Sequence, residues 1–266
     1  MTYGFIGTGN MGGALARALC KTVDAKKVFL ANRTADKAQK LASELGCTAA
    51  DNETIARTCD VLFLGVKPQM MEGMLCAIRE TLAARTKKPL LVSMAAGLTA
   101  AAIDEMAGGG FPVVRIMPNT ACTVGEGMTM YCCNERVTAV QRDALLAALA
   151  ASGVLDELPE QLIDAGSAVA GCGGAYVCLF LEALADGGVA CGLPRDTARL
   201  YAAQMCRGNA LLAMAGGEHT GMMKDAICSP GGTTIAGVRA LEKGGFRSAA
   251  MEAVIAAYEK TAALKK

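Results

Sequence analysis

The sequence predicts an α/β protein, a doubly wound parallel sheet in its first half followed by an all-helical second half. Three observations lead there. Short apolar runs alternate with helical patterns up to Glu157, strand signals vanish after Pro159, and the first apolar run leads straight into the glycine-rich "GFIGTGNMGG". Strand–helix alternation of this kind builds parallel sheets with helices on both faces.

The elements follow in order. Strands are expected at residues 3–6, 28–31, 61–66, 90–94 and 113–117, with another near 127–131, because each is a short apolar run of strand length. Helices at 11–21, 35–45, 68–84 and 99–107 fit between them. A helix at 139–151 and a short strand at 154–157 close the domain. Beyond Pro159 come long Ala/Leu/Met/Gly helices, punctuated at "GLPRD" (192–196), "GGEHTG" (216–221) and "KGGF" (243–246). The boundary is placed near Asp164, with residues 1–163 as the sheet domain and 164–266 as the helical one.

Composition bounds what such a chain can do. Over 266 residues, hydrophobic types make up 53% and charged types 19%, apolar enough to expect surface buried between subunits. Twenty-six basic residues against 25 acidic ones leave a charge of +1, and with few aromatics nucleic acid is not an expected partner. The 12 cysteines lie mostly singly inside apolar runs. Cys132-Cys133 has neither a CxxC partner nor a nearby histidine, so no disulfide framework and no metal site are expected. "MTYGFIG" goes straight into structure, which predicts no signal peptide and a reducing cytoplasm. The apolar stretch 165–192 is interrupted by Glu182 and Asp186 and lacks flanking Lys or Arg clusters. Close helix packing is expected of it, and no membrane span.

Gly7-x-Gly9-x-x-Gly12 follows the first strand and opens the first helix. Gly7 allows the tight turn, Gly9 lets a pyrophosphate approach the backbone, and Gly12 permits close helix–strand packing. The exposed amides and the helix dipole then suit the anion, so a dinucleotide is expected. The second strand ends in Asn32-Arg33-Thr34, where an NAD site would carry Asp or Glu. Arg33 can pair with a 2′-phosphate and Thr34 can donate to it, which favours NADPH, with NADH as the second donor. The plainer alternative is that Thr34 only caps the next helix and Arg33 is solvated. Gly65-Val66-Lys67-Pro68 and Ala95-Ala96-Gly97 stand at carboxyl ends of strands, where open α/β sheets bind ligands; ordinary turns would read the same.

Reduction of a ketone wants a proton donor, and the sole histidine, His219, lies in a glycine-rich turn. No Ser-x-x-x-Tyr-x-x-x-Lys pattern occurs. A cationic C=N substrate already carries its proton, so the available chemistry leans towards imine reduction. "SPGGTT" (229–234) then gains a use: Pro230 breaks what precedes, Gly231-Gly232 expose amides, and Thr233 opens the next helix. Such a helix start suits a carboxylate, although an interhelical turn would call for the same residues.

Together "FIGTGNMG", "GVKPQ", "SMAAG", "RIMPNT", "CSPGGTTIAG" and "GGFRSA" resemble, in order and over essentially the whole chain, the pyrroline-5-carboxylate reductase family. The resemblance implies a Rossmann-like domain and a helical domain that interlocks with a second copy, as a homodimer or a larger ring of dimers. It implies reduction of a small cyclic imino acid, L-1-pyrroline-5-carboxylate, to L-proline by NAD(P)H. Carried over, Gly7, Gly9, Asn10 and Met11 would hold the pyrophosphate, with Ile6, Thr8 and Gly12 in the same turn. Asn32, Arg33 and Thr34 would meet the adenosine ribose or its phosphate, with Asn52 near. Gly65, Val66, Lys67 and Pro68, with Ala95, Ala96 and Gly97, would line the nicotinamide side, and Glu160 and Asp225 would reach it. Ser229, Gly231, Gly232, Thr233 and Thr234 would bind the substrate carboxylate, with Thr234 bonding the ring nitrogen.

The chain departs from the family at "VAGCGGAY", where Ala170, Cys172 and Gly174 replace serine, serine and proline. That change bears on substrate identity and turnover. Three further readings stand beside the resemblance. They are a reductase of a related cyclic imino acid, a β-hydroxyacid dehydrogenase using Lys224, and a non-catalytic NADP(H)-binding scaffold.

Overall fold

The computed structural model describes residues 1–263. Its first stretch runs β1 (Tyr3–Ile6), α1 (Asn10–Leu19), β2 (Val28–Ala31), α2 (Ala35–Leu45), β3 (Thr48–Ala49), α3 (Asn52–Thr58) and β4 (Val61–Leu64). It continues through α4 (Pro68–Ala83), β5 (Leu90–Ser93), α5 (Ala100–Ala107), β6 (Val113–Met117), β7 (Gly127–Cys133), α6 (Ala139–Leu149) and β8 (Gly153–Glu157). The helical part holds α7 (Ile163–Gly166), α8 (Cys172–Ala190), α9 (Arg195–Gly216), α10 (Thr220–Ile227), α11 (Thr233–Lys243) and α12 (Phe246–Ala263).

The eight strands form one sheet in the order β3-β2-β1-β4-β5-β6-β7-β8. Neighbours pair in parallel except β6 with β7. Residues 118–126 between those two are too few for a crossover helix, so β7 returns antiparallel and β8 shares its direction. Both faces of the sheet are covered, which is why its strands read as continuous apolar runs. Leu15, Leu19, Leu41, Leu145 and Leu149 close one face over the stacked rings of Phe5 and Phe63, whose centroids are 4.3 Å apart. Ile55, Met71, Leu75, Ile78 and Ile103 close the other.

Two elements have little sequence signal. β3 has two residues, too few for an apolar run, and α3 is short; its cue is Asp51, whose carboxylate accepts from the Thr54 amide at 2.7 Å. β4 stops at Leu64 and not at residue 66, and β5 at Ser93. β4 runs into a crowded backbone, where a Cβ on Gly65 would lie 2.3 Å from the Gly7 carbonyl oxygen.

The chain divides into two compact units, Met1–Cys172 with the segment beginning at Ala257, and Gly173–Ala256. The first unit continues past Asp164 because that residue is buried and ion-paired with Arg115 of β6. In the second unit only three apolar side chains are buried, Ala185, Ala198 and Ala202. Leu179, Leu200, Leu212, Met214 and Met222 are all at least 60% exposed, so its helices present an apolar surface. The helical run Glu160–Ala190 is long and apolar enough to cross a membrane by length and composition.

Candidate functional site

In the first unit the sheet order reverses direction between β2 and β4 around β1, and ligands of open α/β sheets bind at such a switch point. Gly7 sits there with φ +101°, a conformation that disfavours a side chain, and its amide donates to the Ala31 carbonyl at 2.9 Å. A Cβ on Gly12 would lie 2.1 Å from the Gly7 carbonyl oxygen, so the first turn of α1 lies directly on the loop. Gly9 differs: a Cβ there would meet nothing within 4 Å. Gly9 caps α1 without a side-chain hydrogen bond, and Asn10 beside it is exposed, while Met11 is half-buried. Ile6 is buried in the strand, and the buried Thr8 hydroxyl has no partner among the described residues. An open position at Gly9, bare helix amides and an orphaned hydroxyl together fit a diphosphate.

Beyond β2, an open depression of about 700 Å³ is lined by Asn32, Arg33 and Asn52 together with Asp36, Asp51 and Glu53. Asn32 donates from Nδ2 to the Thr34 carbonyl at 3.2 Å, which shapes the turn. Thr34 occupies the N-cap position of α2 but makes no side-chain cap bond, contrary to the plainer reading of it. Its hydroxyl therefore stays available beside the exposed Arg33. The Thr54 hydrogen bond holds the Asp51 carboxyl below its ordinary range.

Gly65, Val66, Lys67 and Pro68 leave β4, and Pro68 is the first residue of α4. At β5 the fully buried Ser93 hydroxyl accepts from the Ala95 amide at 3.3 Å, and Gly97 turns the chain at φ +77° with Ala96 between them. Glu160 has a use the sequence did not disclose. Its carboxylate accepts from the Ala100 amide at 2.7 Å, capping α5 just after the 95–97 turn, and lies 3.9 Å from Arg115.

Sequence reasoning also missed two polar residues. Arg115, 1% exposed on β6, pairs with Asp164 at 2.5 Å. Asn119 donates to the Ala170 carbonyl at 3.1 Å and accepts from the Met128 amide at 3.3 Å. Residues 167–171 form a widened, π-type turn between α7 and α8, and Asn119 satisfies a carbonyl of that turn. Both lie in "RIMPNT", where an arginine inside an apolar strand was the available signal.

In the second unit, Gly231 has φ +68° and the Gly232 amide donates to the Ser229 carbonyl at 3.0 Å. Gly232 caps α11 with no side-chain bond, so this helix start is as bare as that of α1. Ser229, Thr233 and Thr234 are exposed. Thr234 shares an apolar hollow with Met205, Asn209, Met223 and Ile227. Lys224 is ion-paired with Asp225, which raises the lysine above its ordinary value. The pair occupies the Asp225 carboxylate as well. His219 Nδ1 accepts from the Gly221 amide at 3.1 Å and caps α10. Burial pushes the thiols of Cys132 and Cys133 up to about 11, so neither is a ready thiolate. Among the described residues no group of three or more metal-ligating side chains forms.

A doubly wound sheet with a glycine turn at its switch point defines a Rossmann-type dinucleotide-binding protein. Residues 2–97 match the family model "NADP oxidoreductase coenzyme F420-dependent", and residues 160–264 match "Pyrroline-5-carboxylate reductase dimerisation". The chain is 38% identical over 266 residues to the pyrroline-5-carboxylate reductase of Escherichia coli, covering 99% of this chain and 98% of that one. It is 46% identical over 219 residues to that of Synechocystis, covering 81% and 79%. Among solved structures, pyrroline carboxylate reductase of Plasmodium falciparum, with NADP bound, aligns with TM-score 0.90 and 33% identity, covering 100% and 98%. The chain belongs to the pyrroline-5-carboxylate reductase family, and its helical part is a dimerisation domain.

Proposed function

We propose that the chain reduces L-1-pyrroline-5-carboxylate to L-proline, with NADPH as the preferred hydride donor and NADH as the second. Membership of the family over nearly the full chain supports this activity. The observation that carries the site is the presence of two bare, glycine-capped helix starts, at Gly9 and at Gly232.

NADPH, when bound, supplies the hydride. The amides of Gly9, Asn10 and Met11 and the Thr8 hydroxyl hold its diphosphate, in the turn formed by Ile6, Gly7 and Gly12. Arg33, Thr34, Asn32 and Asn52 take the adenosine end, where the guanidinium pairs with the 2′-phosphate. Residues 65–68 and 95–97 shape the nicotinamide side, and Glu160 acts there by fixing the start of α5. The substrate carboxylate rests on Ser229, Gly231, Gly232, Thr233 and Thr234. Thr234 orients the ring nitrogen. That nitrogen is already protonated, so no general acid is needed, which agrees with His219 and Lys224 both being engaged elsewhere. Asp225 is ion-paired with Lys224 and stays assigned to the cofactor's nicotinamide side.

The apolar helical surface is buried against a second copy, giving an interlocked homodimer that can close into a ring of dimers. The two domains are divided near residues 163–172, and the enzyme works in the cytoplasm, where thiols are the resting state of the free cysteines. Purified protein supplied with racemic pyrroline-5-carboxylate should consume NADPH and yield L-proline. Thr234→Ala should lower kcat/KM by about tenfold or more, with NADPH affinity within about twofold of wild type. Folded, NADPH-binding protein without turnover would sink the assignment. Loss of NADPH binding in Thr234→Ala would move that residue to the cofactor.

A further inference from the structure

We propose that Cys20 and Cys47 form a reversible dithiol–disulfide site that closes by exchange with a low-molecular-weight disulfide. The two sulfurs are 3.4 Å apart, and among the described residues theirs is the only thiol–thiol hydrogen bond. Both residues are half-buried, so a small disulfide can reach them.

The surrounding fold holds the pair in register. Cys20 ends α1, and Cys47 follows Gly46, which ends α2 at φ +75° and turns the chain back. Three residues before each cysteine, Arg17 and Glu44 form a two-pronged ion pair whose second bond is 2.9 Å. The last turns of α1 and α2 are therefore already clamped together. Closing the sulfurs to a bond needs side-chain rotation with little movement of the backbone. By contrast, the adjacent Cys132 and Cys133 lie on one strand, where successive side chains point to opposite faces.

The roles of the two sulfurs differ. The hydrogen bond from Cys47 lowers the Cys20 thiol below its ordinary value, and the same bond with burial raises Cys47. Cys20 is thus the attacking thiolate. It attacks one sulfur of the small disulfide, forming a mixed disulfide and expelling one thiolate. Cys47 then loses its proton and attacks the Cys20 sulfur, expelling the second. Two electrons pass from the protein to the small disulfide, and the protons of Cys20 and Cys47 end on the two released thiols. The ring so closed spans residues 20–47, which carry β2 and the Asn32-Arg33-Thr34 segment.

The test treats the full-length protein with oxidised glutathione and digests it with trypsin under non-reducing conditions. Peptide 18–21 should appear joined to peptide 41–57 with the loss of two hydrogens, and a reductant should separate them. Alkylation of Cys20 should slow by about tenfold or more after oxidation, while the unfolding temperature rises by roughly several degrees. Cys47→Ser should trap Cys20 as a mixed disulfide with glutathione. A joined pair formed by other cysteines, or none at all in folded wild-type protein, would overturn the proposal. So would a mixed disulfide in Cys47→Ser that forms at Cys76 or Cys191 and leaves Cys20 free.

Discussion

The starts of α1 and α11 look alike in local backbone and differ in everything around them. Each follows a glycine at positive φ, and each has a glycine cap with no side-chain bond. Around α1 three glycines are compelled by the protein's own backbone, since added Cβ atoms at Gly7, Gly12 and Gly65 would all lie within 2.6 Å of it, while Gly9 is open. At α11 an added Cβ on Gly231 meets nothing within 4 Å, and one on Gly232 meets only Ser229. The first turn is complete within the first unit. The second stands open at Gly231, on a domain whose apolar side chains are mostly exposed.

Substitutions can break this contrast. The largest effect is expected at Arg115, which ties β6 to the end of the first unit. Arg115→Met leaves Asp164 buried without its cation and should cost about 3–5 kcal/mol in denaturant unfolding. An Asp164→Asn partner substitution should recover part of that loss in a double-mutant cycle. Next comes Gly12→Ala, whose methyl group would strike the Gly7 carbonyl. NADPH affinity should fall about a hundredfold, roughly 3 kcal/mol, because the turn must open to admit it. If Gly12→Ala binds NADPH normally, the close approach is not what shapes the cradle.

Smaller effects probe the open ends. Arg33→Ala should weaken NADPH about tenfold and leave NADH within about twofold, measured by fluorescence titration of both. Equal weakening of both would remove Arg33 from the 2′-phosphate. Gly231→Ala should cost only the left-handed backbone penalty, about 1 kcal/mol, since no atom obstructs the new methyl. A loss as large as that of Gly12→Ala would make the two turns equivalent and end the comparison.

The sequence alone determined the strand–helix alternation, the glycine turn after the first strand and the Asn32-Arg33-Thr34 segment, because these are written in local periodicity and backbone tolerance. It also held the whole set of motifs that place the chain in its family. Local patterns cannot report where remote segments meet, and that is what the tertiary structure decided. Gly65 reads as a ligand-lining residue in "GVKP", yet it is required by Gly7, far away in the chain. Glu160 reads as a reaching carboxylate, yet it caps α5. Arg115 with Asp164, Asn119 with Ala170, and Cys20 with Cys47 are pairs that only folding brings together. The antiparallel return of β7 belongs with them, since a strand's direction follows from the length and path of its connection and leaves no mark on its own composition.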